Sequence, residues 1–502
     1  MTQSARNILF KGGAIVTMDA KIANLATGDV LVQGDRIAAI GANIEAGDAE
    51  VIDAAGSIVL PGLVDAHHHA WLAVMRRLMP DVDDLFAYID VVAEKLGSHY
   101  RPLDMYLSNR LTAVASLDAG ITTIIDACHS SRSPEHSDAA LDALASSGIR
   151  ALHMVGAAMD KKASNAHLPL DLERLGRRWN NAGSLVQVGL FGQFNLEWWK
   201  VARRLDMRIL SEFIGDLYKL GPEFAEAGVL GRHNIFNHCT RLPQATWQLM
   251  ADAGVNVTVN PRSDALFGFD DEHFAYQQAI DHGLQPALGI DLDTAFGSDM
   301  FGEMHALFGQ QRSAMRYRRF RGEENVPAPI SVEAVLRAAT VHGARAAGLE
   351  DSIGTLTPGK QADIIMVRAN GVGVFPVNDT IATVVQAVDR SDVDTVMVAG
   401  QIRKRAGQLV GVDLAKLSDE VNASRDYLVE ASGYRSGLFK NAACPRAARD
   451  SHSIEPWRLP CRHPLSANPP CPLRRRSTCP VLRTPSSRRC SSAISPSDCR
   501  CR

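Results

Sequence analysis

Two hydrophobic rhythms divide the chain. Near its start, short apolar runs alternate with glycine turns at Ile8–Phe10, Ala14–Met18, Val30–Val32, Ile37–Ile40 and Val51–Ile52. Runs of this kind predict the strands of a small sheet. The second rhythm begins at Ile58, where an apolar run ends in the cluster His67, His68, His69. A continuous apolar run suits a parallel strand buried on both faces. From there to about residue 350, strand and helix alternate. Candidate strands are Ile121–Asp126, Arg150–Met154, Val186–Phe191, Met207–Ser211, Ile235–Cys239, Val255–Asn260 and Ala287–Asp291. With residues 59–65 they complete a set of eight, which predicts an α/β protein with a (β/α)8 TIM barrel. An open doubly wound sheet is the competing reading. It is disfavoured because no glycine-rich dinucleotide turn follows the first strand.

Ser331–Gly348 predicts one helix, with Ser331 as its N-cap and Gly348 as its stop. Strands return at Ile364–Val367, Thr383–Val388 and Thr395–Val398. They are expected to pair with the N-terminal strands, so a small composite β-sandwich domain would be built from both chain ends. The expected organisation is residues 1–60 for the first part of that domain, 61–356 for the barrel and 357–415 for the second part. A C-terminal helix follows within 416–440, centred on Leu417–Ser432. Residues 441–502 carry ten of the 23 prolines and twelve arginines against three acids. With no apolar periodicity, such a segment cannot bury enough surface to offset its ordering entropy, and it is expected to be disordered.

Length and charge narrow the partners. The 502 residues accommodate a barrel of ~250 plus a second module. A net charge of −3 gives no field that would gather nucleic acid or an anionic membrane. No run approaches the ~18 apolar residues that span a bilayer, and Met1 to Asn7 lacks the core of a signal peptide. The expectation is a cytoplasmic protein with a small-molecule substrate, no nucleic-acid partner and no membrane partner. Seven of the nine cysteines lie at or after Cys444, leaving Cys128 and Cys239, so the body is not a disulfide scaffold.

His67 and His69 sit two apart at the end of the first barrel strand, so their imidazoles share a face. That places them at the C-terminal mouth, where barrel active sites lie, in an arrangement that suits a divalent metal. His68 points the other way and reads as structural.

Three stretches resemble the amidohydrolase superfamily. "LPGLVDAHHH" (Leu60–His69) resembles its first-strand signature, "GTLTPGKQADIIMV" (Gly354–Val367) its return to the small β-domain, and "DVDTVMVAGQIRK" (Asp392–Lys404) that domain's closing hairpin. The similarity runs from about Ile8 to Ser432. "NPRSDALFG" (Asn260–Gly268) and "ALGIDLDTAFGSDMFGEM" (Ala287–Met304) resemble the branch of cytosine and guanine deaminases and triazine chlorohydrolases.

The resemblance implies one divalent metal, zinc or iron, held by His67, His69 and Asp291. Asp291 would also take a proton from the attacking water. His238 would orient that water or the substrate, and Glu212 would shuttle the proton to the leaving group. A homodimer is implied in the same way. Two departures stand out. The branch places a histidine ligand three residues before the glutamate, and here that position is Ile209; metal binding could be weak or abandoned. Asp264 replaces the usual asparagine. His129, Arg262 and Asp264 are the candidate substrate contacts, and Phe194, Trp198 and Trp199 are candidates for an aromatic pocket.

The expected activity is metal-dependent hydrolysis of a small nitrogen-containing, heterocyclic substrate by deamination, dechlorination or C–N cleavage. Two alternatives stay open. One is a degenerate metal site doing elimination or isomerisation, and the other is an inactive binding protein.

Overall fold

The computed structural model describes residues 7–215, 217–269, 274–435 and 437. The tail expected to be disordered, 441–502, lies outside the described residues. Among the described residues, no helix is long and apolar enough to cross a membrane.

The chain opens with β1 (Ile8–Ile15), β2 (Leu25–Gln33), β3 (Arg36–Gly41), β4 (Glu50–Asp53) and β5 (Ser57–Pro61). Eight barrel strands follow. They are β6 (Leu63–His68), β7 (Ile121–Cys128), β8 (Arg150–Gly156), β9 (Val186–Phe191), β10 (Ile209–Ile214), β11 (Asn234–Thr240), β12 (Asn256–Val259) and β13 (Ala287–Leu288). The chain then returns through β14 (Ile364–Arg368), β15 (Val393–Val398), β16 (Gln401–Arg405) and β17 (Gln408–Leu409).

The first and last groups share one sheet in the order β17-β16-β15-β14-β5-β1-β2-β3, with β4 beside β1. The barrel strands run β6 to β13 in consecutive order, each pairing parallel with the next. Closure comes from the first and last strands. His68 and Asp291 form a parallel bridge. The amides of Ile290 and Asp291 donate to the His67 carbonyl at 3.0 and 2.8 Å, and the His69 amide donates to the Asp291 carbonyl at 2.8 Å. The sheet therefore closes on the residues that carry the candidate chemistry.

The apolar run expected as a single strand divides at Gly62. Residues before it pair antiparallel with β14, and residues after it pair parallel with β7. A Cβ at Gly62 would lie 2.1 Å from the Thr122 hydroxyl oxygen, so only glycine lets the chain pass this closely between the two sheets.

Three other expectations are corrected. Thr383–Val388 lies mostly in a helix, Thr380–Gln386, nucleated by Asp379 accepting from the Ala382 amide at 2.8 Å. The single helix expected at Ser331–Gly348 is two, Val332–Ala338 and Val341–Ala347. The break is at Thr340, whose φ of −133° and ψ of −78° leave the helical region. The last barrel strand is only two residues long, because Gly289–Asp291 bends across to β6.

Period-two alternation sorts the strand side chains into two packing layers. Leu210 and Ile235 join Ala66, Ile125 and Met154 in one cluster, the barrel lumen. Ile209, Phe213 and Phe236 join Trp199 and Leu190 in the cluster between barrel and helices. Each such fully buried side chain contributes ~1.5–3 kcal/mol of transfer free energy.

Candidate active site

β6 delivers two imidazoles to the barrel mouth. His67 Nε2 and His69 Nε2 are 3.3 Å apart. His69 Nδ1 lies 2.6 Å from the Ala127 carbonyl, to which it donates, so Nε2 is the nitrogen turned to the other donors. His68, between them, turns away. Its Nδ1 is 2.7 Å from Asp65 and its Nε2 3.3 Å from Asp293. Burial pulls His68 down, yet the two carboxylates outweigh it and push its pKa up to about 10. His68 is thus a buried structural cation, as its place on the strand suggests.

Asp291 arrives from the end of β13 in the left-handed region, with φ of 74°. That conformation costs a non-glycine residue ~1–2 kcal/mol, and closure of the barrel holds it. One carboxylate oxygen is 3.2 Å from the Nε2 of both His67 and His69. The other accepts the Ser263 hydroxyl. Glu212, on the lumen-facing side of β10, brings Oε1 to 2.9 Å from His69 Nε2 and 3.7 Å from His67 Nε2. Burial favours the neutral form of both carboxyls, but the imidazoles prevail. Asp291 is held well below the usual carboxylate range and Glu212 down to about 2. Burial lowers His67, whereas Asp291 and Glu212 raise His69 in spite of burial. Two ionised carboxylates and two imidazoles thus share one desolvated point.

His238 extends the cluster from the end of β11, again with a positive φ of 65°. The ligand atoms of His67, Glu212, His238 and Asp291 all lie within 4.8 Å of one another. His238 Nδ1 is 2.6 Å from Asp264. Burial opposes its charge, but Asp264 pushes it up to about 9.

The remaining candidates divide. His129 reaches the mouth, with its ring centroid 4.4 Å from that of His69. Burial and the neighbouring His69 lower it to about 3, so it is a neutral group. Asp264 is buried, and it is not on the cavity wall. Its two oxygens are turned to His238 and to the Asn260 amide. Arg262 is also off the wall. Its Nε is 2.5 Å from Glu303 and its Nη2 3.1 Å from the Asp299 carbonyl. Its charge is spent inside the protein on a carboxyl that burial raises to about 7. Phe194, Trp198 and Trp199 do not line the mouth either. Phe194 packs at 4.7 Å from Phe213 and 5.8 Å from Trp199 in the layer outside the barrel.

Above the cluster opens a cavity of about 870 Å³, part of it open to solvent. His69, Glu212, His238 and Asp291 form its floor, while Leu85, Phe86, Tyr88, Tyr218, Phe267 and Phe269 contribute to its walls. These wall residues escaped the sequence reading because they sit on loops and short helices without a repeating pattern.

Residues 208–403 match the Amidohydrolase family. Over 450 residues it is 28% identical to 5-methylthioadenosine/S-adenosylhomocysteine deaminase of Acetivibrio thermocellus, covering 83% of this chain and 98% of the relative. The protein of the same name from Desulforudis audaxviator is 26% identical, with coverages of 81% and 96%. Among solved structures, an adenosine deaminase from Xanthomonas campestris with bound zinc superposes with a TM-score of 0.71 at 21% identity, covering 85% of this chain and 99% of that one. Atrazine chlorohydrolase from Arthrobacter aurescens TC1, complexed with zinc, gives 0.72 at 22% identity, with coverages of 83% and 100%. A (β/α)8 barrel with an added β-sheet is thus the fold that this chain shares with those structures.

Proposed function

We propose that this protein is a metal-dependent hydrolase that directs water onto a small, uncharged nitrogen heterocycle. The observation that carries the reading is the convergence of His67, His69, Asp291 and Glu212 on one buried point at the floor of an apolar cavity. The named relatives and neighbours, deaminases and a chlorohydrolase, support the same reaction class.

The donor set fits a divalent cation. Five donor–donor separations are 3.3 Å between the imidazoles, 3.2 and 3.2 Å to Asp291, and 2.9 and 3.7 Å to Glu212. Donors ~2.1 Å from a tetrahedral centre are ~3.4 Å apart, within that range. The Ala127 carbonyl fixes the His69 tautomer that a ligand needs. When bound, such a cation supplies the Lewis acidity that makes water nucleophilic near neutral pH.

The chain's own groups do the rest. Asp291, ionised and held by Ser263, accepts a proton at its histidine-facing oxygen. His238, kept cationic by Asp264, donates toward the atom that gains negative charge. The neutral His129 can hydrogen-bond a ring nitrogen. The walls exclude water from the reacting centre. Among the described lining residues there is no lysine or arginine, and the walls above the floor are apolar, so a substituent that reaches those walls meets no cationic partner there.

The deciding experiment combines elemental analysis of the purified protein with turnover on a panel of aminated and chlorinated heterocycles. About one divalent ion per chain is expected, with turnover lost on chelation and in His67→Ala. A folded, metal-free parent that turns over substrates after exhaustive chelation would overturn the proposal.

A further inference from the structure

Ile209 stands where the related branch places a histidine ligand, and its side chain faces the helical layer, fully buried beside Phe213 and Phe236. Residue 209 and residue 212 are three apart, so on a regular strand they occupy opposite faces. β10 is regular here, pairing with β11 in unbroken register from Ile209 through Phe213. Only Leu210, Glu212 and Ile214 turn inward, and of these only Glu212 carries a donor.

We propose that Glu212 is itself the metal ligand supplied by the fifth strand, giving a centre of two imidazoles and two carboxylates. This rests on the reading of the mouth as a metal centre. The distances carry the assignment. Glu212 Oε1 approaches the two imidazole nitrogens at 2.9 and 3.7 Å, and Asp291 approaches the same atoms at 3.2 Å. Both carboxylates therefore address the pair of nitrogens in the same manner.

The charge balance also changes. Two neutral imidazoles and two carboxylates bring a divalent ion to zero net charge, where three imidazoles and one carboxylate leave +1. Neutrality suits a site buried this deeply, because an unbalanced charge there is costly. A second oxygen donor in place of nitrogen also moves preference toward harder ions such as manganese or iron(II), and away from zinc. The proton transfers then fall to Asp291 and to the His238–Asp264 pair, which do not need Glu212.

The test is cobalt(II) titration of the metal-free full chain, followed by visible absorption and elemental analysis. The parent, Glu212→Gln and Glu212→His are compared. The parent should bind one cobalt. Glu212→Gln should bind it at least about 100-fold more weakly, because a ligand is lost rather than the 10–100-fold typical of an outer-shell partner. Glu212→His should recover binding to within about tenfold, with a shifted cobalt spectrum as nitrogen replaces oxygen. Should Glu212→Gln fail to fold, the spectrum of Glu212→His decides alone, and an unchanged spectrum overturns the assignment. Parental affinity and spectrum in Glu212→Gln also overturn it, leaving the metal centre itself intact. A folded parent that binds no cobalt overturns both this inference and the metal-dependent reading on which it rests.

Discussion

His238 Nδ1 and a carboxylate oxygen of Asp264 are 2.6 Å apart, both groups buried beside the barrel mouth. Asp264 comes from the helix Pro261–Phe267, directly after β12, so adjacent barrel strands build the pair. An ion pair this short in a desolvated place sets the protonation state of the imidazole, not merely its orientation.

Asp264→Asn removes the negative charge that raises His238 to about 9. The pKa must then fall, because burial alone favours the neutral ring. If the His238 cation is the donor, the basic limb of the kcat/KM profile should move to lower pH by about one unit or more. The pH–rate profiles of parent and variant check this, and coincident basic limbs would count against the role.

The apolar wall makes a prediction about substrates. For matched heterocycles, an uncharged alkyl substituent should be preferred over one ending in a carboxylate by at least about 100-fold in kcat/KM. Steady-state kinetics on such a pair measures it. Phe269→Arg, which adds a cation to the wall, should narrow the ratio.

His153 lies 2.6 Å from Asp126, and both are fully buried. Burial opposes the charge on His153, but Asp126 prevails and raises it to about 10 from an ordinary 6.5. Because the folded value lies above the unfolded one, the pair's stabilisation is complete below about pH 6.5 and fades as pH rises toward 10. The stability gap between parent and His153→Gln, measured by urea unfolding, should therefore shrink steadily across that window. A gap that widens would contradict the pairing.

Gly62→Ala should destabilise the fold by about 1–3 kcal/mol, since the new methyl would overlap the Thr122 side chain. Denaturant titration gives the value. The effect should exceed that of Gly41→Ala, where nothing lies within 4 Å of the added atom and the backbone is outside the left-handed region.

Most of the architecture was legible because buried parallel strands leave continuous apolar runs, and His67 and His69 follow one directly. Legibility failed where two neighbours compete. The run through Gly62 reads as one strand because both sheets bury it, and only the crowding by Thr122 reveals the division. Thr383–Val388 carries β-branched residues that suit a strand, but the Asp379 cap and packing against the barrel's helices decided for a helix. The missing histidine at 209 was visible, yet its meaning was not. Alternation along β10 makes Glu212 the residue that counts. Nor does the sequence give any sign that the oxygens of Asp264 are turned to His238 and to the Asn260 amide. The cavity wall was invisible for a simpler reason, since positions on loops follow no period.

Barrel closure has a consequence for how the molecule comes into being. The amide of Ile290 donates to a carboxylate oxygen of Asp65 from 225 residues away, in the same seam where Asp291 meets His67. The donor cluster is therefore joined by nearly the longest loop the barrel contains, and loop-closure entropy opposes its formation until the intervening strands have docked. A growing chain gains its second carboxylate only when the eighth strand arrives. A cation captured there would act as a clasp on a finished ring, so its retention during partial unfolding should report whether first and last strands are still joined.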